Sequence, residues 1–296
     1  MSASELLGIC AGITAAIQLL GFLAAYALQT EKFYDILGGI NFLVLGVYTA
    51  AAGGNWADDA RKVTCTIIFL VSRSWLLIFL AWRAHERSGD SRFDGVKESF
   101  GMFLFYWFFQ AIWVFTISMP VVFVNSVTGD PDQKFSVLDI VTMSVFAFAV
   151  IFEVTADIQK ALWVKAGRNG VFCQVGVWRL SRHPNYFAEM LQWWAVWAFS
   201  FGSGTGFGDV QWWFAILSPL LTMQILLNTG GTGVMQANGK SLARYYDSCP
   251  NEYAEYRDKT SILLPMVGYK YVPKILKRTL FLDFKKYEYR DGPKSE

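Results

Sequence analysis

Long apolar runs separated by short polar connections set the rhythm of the chain. Seven stand out, at roughly 7–29, 33–52, 63–83, 100–124, 136–157, 186–201 and 209–228. A helix rises 1.5 Å per residue, so about 20 apolar residues cross the ~30 Å hydrocarbon core of a bilayer. The runs therefore predict an all-α fold, a polytopic membrane bundle of about seven transmembrane helices. No charge interrupts residues 6–28, and only Glu5 stands before them. That run exceeds the ~7–15-residue core of a signal peptide and reads as a retained span. After 228 the pattern changes, and the stretch YKYVPKILKRTLFLDFKKYEYR reads as a basic amphipathic segment lying on the membrane face. The division this suggests is a membrane domain over 1–265 and a cytoplasmic helical tail over 266–296.

Composition agrees with the pattern. Of 296 residues 54% are hydrophobic, 17% aromatic and only 17% charged, and the mean hydropathy is +0.31, an oily balance for a soluble domain of this length. A net charge of +2 with no basic block among aromatics excludes nucleic acid as a partner. Cys10, Cys65, Cys173 and Cys249 are scattered without CxxC spacing, so neither a metal site nor a dithiol switch is expected. The positive-inside rule orients the spans. Lys32, Arg83, Arg87, Arg92, Lys97, Lys160, Lys165, Arg168, Arg179 and Arg182 lie in or beside the connections of one side, ten against Arg61, Lys62 and Lys134 on the other. The N-terminus is placed outside or in a lumen, and the stretch 158–189 shares the cytoplasmic side with the tail.

Polar residues inside apolar runs are candidate functional sites, because each must be solvated or paired. The notable ones here are Arg73, Gln110, Glu153, Asp157, Gln159, Glu189, Gln192 and Gln224. Glu153 and Asp157 share a helix face at i, i+4, with Lys160 three further on, and Arg73 is expected to pair with a carboxylate. The densest group is SRHPNYFAE, residues 181–189. Pro184 suits the first turn of a helix. The unpaired N–H groups of that helix start, beside Arg182 and His183, form the kind of place where phosphate binds. Asn185, Glu189 and Gln192 follow on one face. An interfacial cap with an aromatic belt explains Tyr186, Trp193, Trp194 and Trp197, but not Arg182, Asn185 and Glu189 on successive turns.

The block SRHPNYFAE, with Ala156-Asp157-Ile158-Gln159-Lys160, Asn169-Gly170-Val171-Phe172 and Gly176-Val177-Trp178 before it, resembles the steroid 5-alpha-reductase-like superfamily, and within it the DUF1295 branch. YDILGG, SRFDG, FYWFFQAIWVFTISMP and YAEYRDKTSILLP extend the resemblance over roughly 33–265. It implies an integral membrane reductase that takes a hydride from NADPH at the cytoplasmic face and reduces an activated carbon–carbon double bond in a lipid. The positions matching the family's cofactor site, within 153–265, are Lys160, Asn169, Trp178, Ser181, Arg182, His183, Asn185, Tyr186 and Glu189, with Tyr253 and Tyr256 in the closing motif. Where the family reads close to SGxPLLE, this chain has Gly230-Gly231-Thr232-Gly233-Val234-Met235-Gln236, without the proline and with Gln236 in place of the carboxylate.

Such chemistry needs a donor at the conjugated carbonyl and a proton for the alpha carbon. Tyr106, Glu153 and Tyr186 are the candidates. A bundle with an interior cleft suits a lipid or steroid-like substrate that partitions into the bilayer first. Two other classes share the features: a membrane S-adenosylmethionine-dependent methyltransferase, which has a similar RHPxY helix start, and a non-catalytic relative, which the altered 230–236 segment admits. The location expected is the endoplasmic reticulum membrane in a eukaryote or the inner membrane in a bacterium.

Overall fold

The computed structural model describes residues 2–86, 90–127, 134–168, 172–204, 206–229, 233–236, 245 and 248–287. The described residues form helices and short 3-10 turns, with one isolated parallel bridge between Ser181 and Ser261. The helices are α1 (Ala3–Ala27), α2 (Tyr34–Ala52), α3 (Ala60–Glu86), α4 (Phe100–Ser126), α5 (Val137–Lys165), α6 (Pro184–Ser200), α7 (Val210–Ala215), α8 (Leu217–Asn228), α9 (Gly233–Gln236), α10 (Pro250–Lys259) and α11 (Lys274–Arg278). Six helical stretches are long and apolar enough to cross a membrane: α1, α2, α3, α4, α5 and the continuous stretch Val210–Asn228. Leu20, Val47, Ile78, Phe108 and Ile151 point outward on them, as lipid-facing side chains should. The helix α6 has 17 residues and stands apart from those six. None of its residues is exposed; Gln192 and Ser200 are fully buried, and Asn185 and Glu189 partly so.

The chain divides into two compact units. The first comprises Met1–Ala147 and Trp193–Leu221, the second Phe148–Gln192 and Thr222–Glu296. In the first, Phe22, Ala25, Phe93, Phe103 and Trp107 build an apolar core with Tyr26, Tyr34 and Tyr106 against it. Polar links join its helices where hydrocarbon offers no partner. Gln18 donates to Asn41 at 3.1 Å, and Asn125 donates to Thr49 at 3.0 Å while accepting from Thr66. At Gly38 the backbone of α2 passes so close to α4 that an added Cβ would lie 1.9 Å from Gln110 Nε2, the atom that donates to Tyr34 O at 2.8 Å.

Two of the three cations on the sparsely charged side are structural. Arg61 is ion-paired with Asp139, donates to Phe199 O at 3.0 Å and lies over the Phe199 ring. Lys62 donates to Gly54 O at 2.9 Å. The start of α3, the start of α5 and the end of α6 are thereby gathered at one end of this unit. Arg73 is fully buried; its guanidinium packs over the Phe42 and Trp193 rings, and Nη2 donates to Ser72 at 2.8 Å.

The second unit contains the end of α5, the start of α6 and everything from 222 onward. Its core joins Met190 of α6 to Leu227, Val234, Ile262, Leu263 and Tyr287. The segment read from sequence as a surface tail is anchored here: Tyr269, Asp283 and Tyr287 are buried, whereas Val267, Tyr271, Ile275 and Leu280 stay exposed.

Candidate functional site

On α5, Glu153, Asp157 and Lys160 form one stripe, because steps of four and three residues return to the same face. On α6, Asn185, Glu189 and Gln192 do the same. The two stripes face each other within the second unit and are joined at both ends. Asn185 Nδ2 donates to Asp157 Oδ1 at 3.3 Å, and Gln192 Nε2 donates to Glu153 Oε2 at 2.5 Å. Glu189 stands between these two rungs, four residues after Asn185 and three before Gln192. A carboxylate only accepts, so Asp157 draws the NH2 side of the Asn185 amide toward itself. The Asn185 oxygen is left buried, with no donor among the described residues.

Above this ladder, in the direction of the α6 N-terminus, cations collect. The Lys160 ammonium lies 4.1 Å from the centroid of the Trp178 ring, and Trp178 is fixed by its indole N–H donating to Ala156 O at 2.9 Å. Burial lowers the His183 pKa well below the ordinary histidine range, and Lys160 and Arg182 nearby lower it further. The imidazole is therefore neutral at pH 7, stacked at 5.2 Å on Tyr186. Tyr186 is about 100° around α6 from Asn185 and packs against the Met190 cluster.

Arg182 is committed within the protein. Its Nη2 donates to Asp283 Oδ2 at 2.6 Å and its Nε to Thr260 O at 3.2 Å, while its backbone N–H donates to Ser261 O at 2.9 Å. Tyr269 donates to the same Asp283 oxygen at 3.1 Å. Burial opposes the charge on Arg182, but Asp283 and the surrounding hydroxyls outweigh it and hold its pKa above the usual value. Ser181 pairs with Ser261, accepts from His183 N at 3.1 Å and donates to Ile262 O. The blocks SRH and TSI, nearly eighty residues apart, are thus zipped together.

Tyr256 donates to Trp178 O at 2.6 Å and stacks on Phe172, with Tyr253 completing the aromatic cluster. Burial pushes the Tyr256 phenol up, so it is a permanent donor that clamps the Trp178 turn. Gly176 opens that turn at φ +53°, where a Cβ would strike the Gln159 amide that accepts from Val177 N. Of the sequence-predicted positions, then, Lys160, Trp178, Ser181, Arg182, His183, Asn185, Glu189, Tyr253 and Tyr256 belong to one unit with Glu153 and Tyr186. Tyr106 belongs to the other, where its carbonyl accepts from Tyr34 at 2.9 Å. Asn169 and residues 230–232 lie outside the described residues, as do the side chains of Met235 and Gln236. Sequence reasoning missed Asp283; the one local sign is a lone carboxylate among apolar neighbours in LFLDF.

An all-helical chain with six membrane-length apolar helices and lipid-facing side chains on them is a multi-pass membrane protein. It belongs to the family described as Protein of unknown function (DUF1295), whose model matches residues 21–260. No curated protein and no solved structure matches the chain.

Proposed function

We propose that this protein is an integral membrane reductase that uses NADPH to reduce a carbon–carbon double bond conjugated to a carbonyl in a lipid or steroid-like substrate. The observation that carries this reading is the buried Asn185 oxygen, which has no donor among the described residues while the amide nitrogen is held by Asp157. A buried acceptor left unpaired is costly, and a carboxamide N–H is the complementary group. The resemblance of SRHPNYFAE to the steroid 5-alpha-reductase-like superfamily supports the same assignment. NADPH, when bound, supplies the hydride for the beta carbon. Asn185 would accept from the nicotinamide carboxamide, and Glu189 would help to orient it. Lys160 and the α6 N-terminus would attract the phosphate groups. Arg182 contributes less charge than its sequence position implies, because Asp283 already neutralises it. Of the three donor candidates, Glu153 is the one tied to the ladder, through Gln192, and we assign it the proton for the alpha carbon.

The purified protein in detergent tests the class. A hundredfold excess of NADPH over its Kd is expected to add about 2.7 kcal/mol of stability, seen as a raised melting temperature, whereas S-adenosylmethionine leaves it unchanged. Stabilisation by S-adenosylmethionine alone would make the protein a methyltransferase, and stabilisation by neither would favour a non-catalytic relative.

In the same reading α6 is a seventh span, ~25 Å long at 1.5 Å per residue, and residues 229–296 are cytoplasmic with the ladder's open end. The membrane is that of the endoplasmic reticulum in a eukaryote or the inner membrane in a bacterium. All four native cysteines are buried, so an impermeant maleimide reads introduced ones cleanly. In sealed vesicles of known orientation, Ser2→Cys and Tyr271→Cys are expected to react from opposite sides; labelling from the same side rejects this topology.

A further inference from the structure

A cleft of about 410 Å³ opens in the second unit between α10 and the segment that follows it. Five cationic side chains line it: Arg257, Lys270, Lys274, Lys277 and Arg278. The two carboxylates in its wall are already engaged. Asp258 pairs with Lys277 at 3.0 Å, and Asp283 is held by Arg182. Glu255 nearby is tied to Lys259. Lys277 also lies over the Tyr269 ring, and Arg278 donates to Asp283 O at 2.7 Å, which fixes both on the wall. Lys270 and Lys274 are exposed and make neither an ion pair nor a hydrogen bond among the described residues. Like charges in a concave, low-dielectric wall focus a positive potential that an anion relieves. Tyr271 and Ile275, each next to one of these lysines in sequence, are 86% and 72% exposed, so apolar side chains flank the two cations at the surface.

We infer that this cleft is a binding site for a terminal phosphate group, the chemistry shared by a phosphomonoester lipid headgroup and a soluble phosphate. Four of its five cations lie beyond residue 260, outside the family match, and the site stands whether or not the protein is a reductase. Lys270 and Lys274 close on the phosphate oxygens while Arg257 and Arg278 form the floor.

Equilibrium binding to the full chain in detergent, at fixed ionic strength, tests this with three probes: inorganic phosphate, a short-chain phosphatidic acid and a phosphatidylcholine of the same chain length. Saturable binding of phosphatidic acid, tighter than that of phosphate and absent for phosphatidylcholine, is expected for a headgroup site. Phosphate binding no weaker than that of phosphatidic acid keeps the site and assigns it to a soluble ligand. Lys270→Gln with Lys274→Gln, at exposed positions, is expected to weaken binding about tenfold or more. Lys32→Gln with Lys165→Gln removes the same charge elsewhere and is expected to change little. The inference is overturned if no probe saturates, or if the two double variants weaken binding equally.

Discussion

Replacing Glu189 by Gln is expected to slow hydride transfer at saturating NADPH by about a hundredfold, with the cofactor-free melting temperature preserved. Glutamine has nearly the same shape, and Glu189 is half-buried between two rungs that are made by other side chains: Asp157–Asn185 and Glu153–Gln192. Those two rungs between α5 and α6 are kept in the variant. What is lost is the charge of a side chain one helical turn from Asn185 in the proposed cofactor site, where an error of ~1 Å in the placement of a reacting group is worth about two orders of magnitude. Single-turnover kinetics and thermal unfolding on one preparation separate the possibilities. A lowered melting temperature with an unchanged rate at saturating NADPH would make Glu189 a structural residue and remove the functional reading of the ladder.

The largest loss of stability is expected at the opposite end of α5. Arg61 and Asp139 are 4% and 1% exposed. Asp139 also accepts from Ser136 N at 2.8 Å and Ser136 Oγ at 2.9 Å, and Arg61 reaches Phe199 O. Removing one partner leaves the other charge buried and uncompensated, which destabilises by about 3–5 kcal/mol. Arg61→Gln and Asp139→Asn should each lower the melting temperature by roughly 10 °C. Arg61→Leu combined with Asp139→Leu should cost less than the sum of the single changes, because no stranded charge remains. Strict additivity in that cycle would show that the two side chains act independently.

Sequence and structure agree where composition alone decides. The runs near 7–29, 33–52, 63–83, 100–124, 136–157 and 209–228 correspond to the six membrane-length helices, because an apolar stretch of that length has few other solutions in water or lipid. The stripes on α5 and α6 were legible too, since helical spacing of rare polar residues places them on one face. Three things were not. The apolar run ends near Asp157, but α5 continues to Lys165; its last turns carry polar residues whose partners on Trp178, Val177 and Asn185 come from later in the chain. The partner of Arg182 was also hidden. Asp283 lies 101 residues away, in a stretch whose basic, amphipathic look points to the membrane surface, and no local pattern in either segment announces the other. The pairing of Arg61 with Asp139, 78 residues apart, was invisible for the same reason.

The long reach of the Arg182–Asp283 pair also imposes an order on biosynthesis. A ribosome adding ~5–20 residues per second places Asp283 in the chain about 5–20 s after Arg182. For that interval the guanidinium and the start of α6 have no counter-charge from the far segment, and the Ser261 carbonyl that caps the Arg182 amide has yet to be made. The first unit, whose last residue is Leu221, can close while the second is still being synthesised. The second must then mature after most of the chain has entered the membrane, in a step that draws residues 260–283 back onto a helix start laid down long before them.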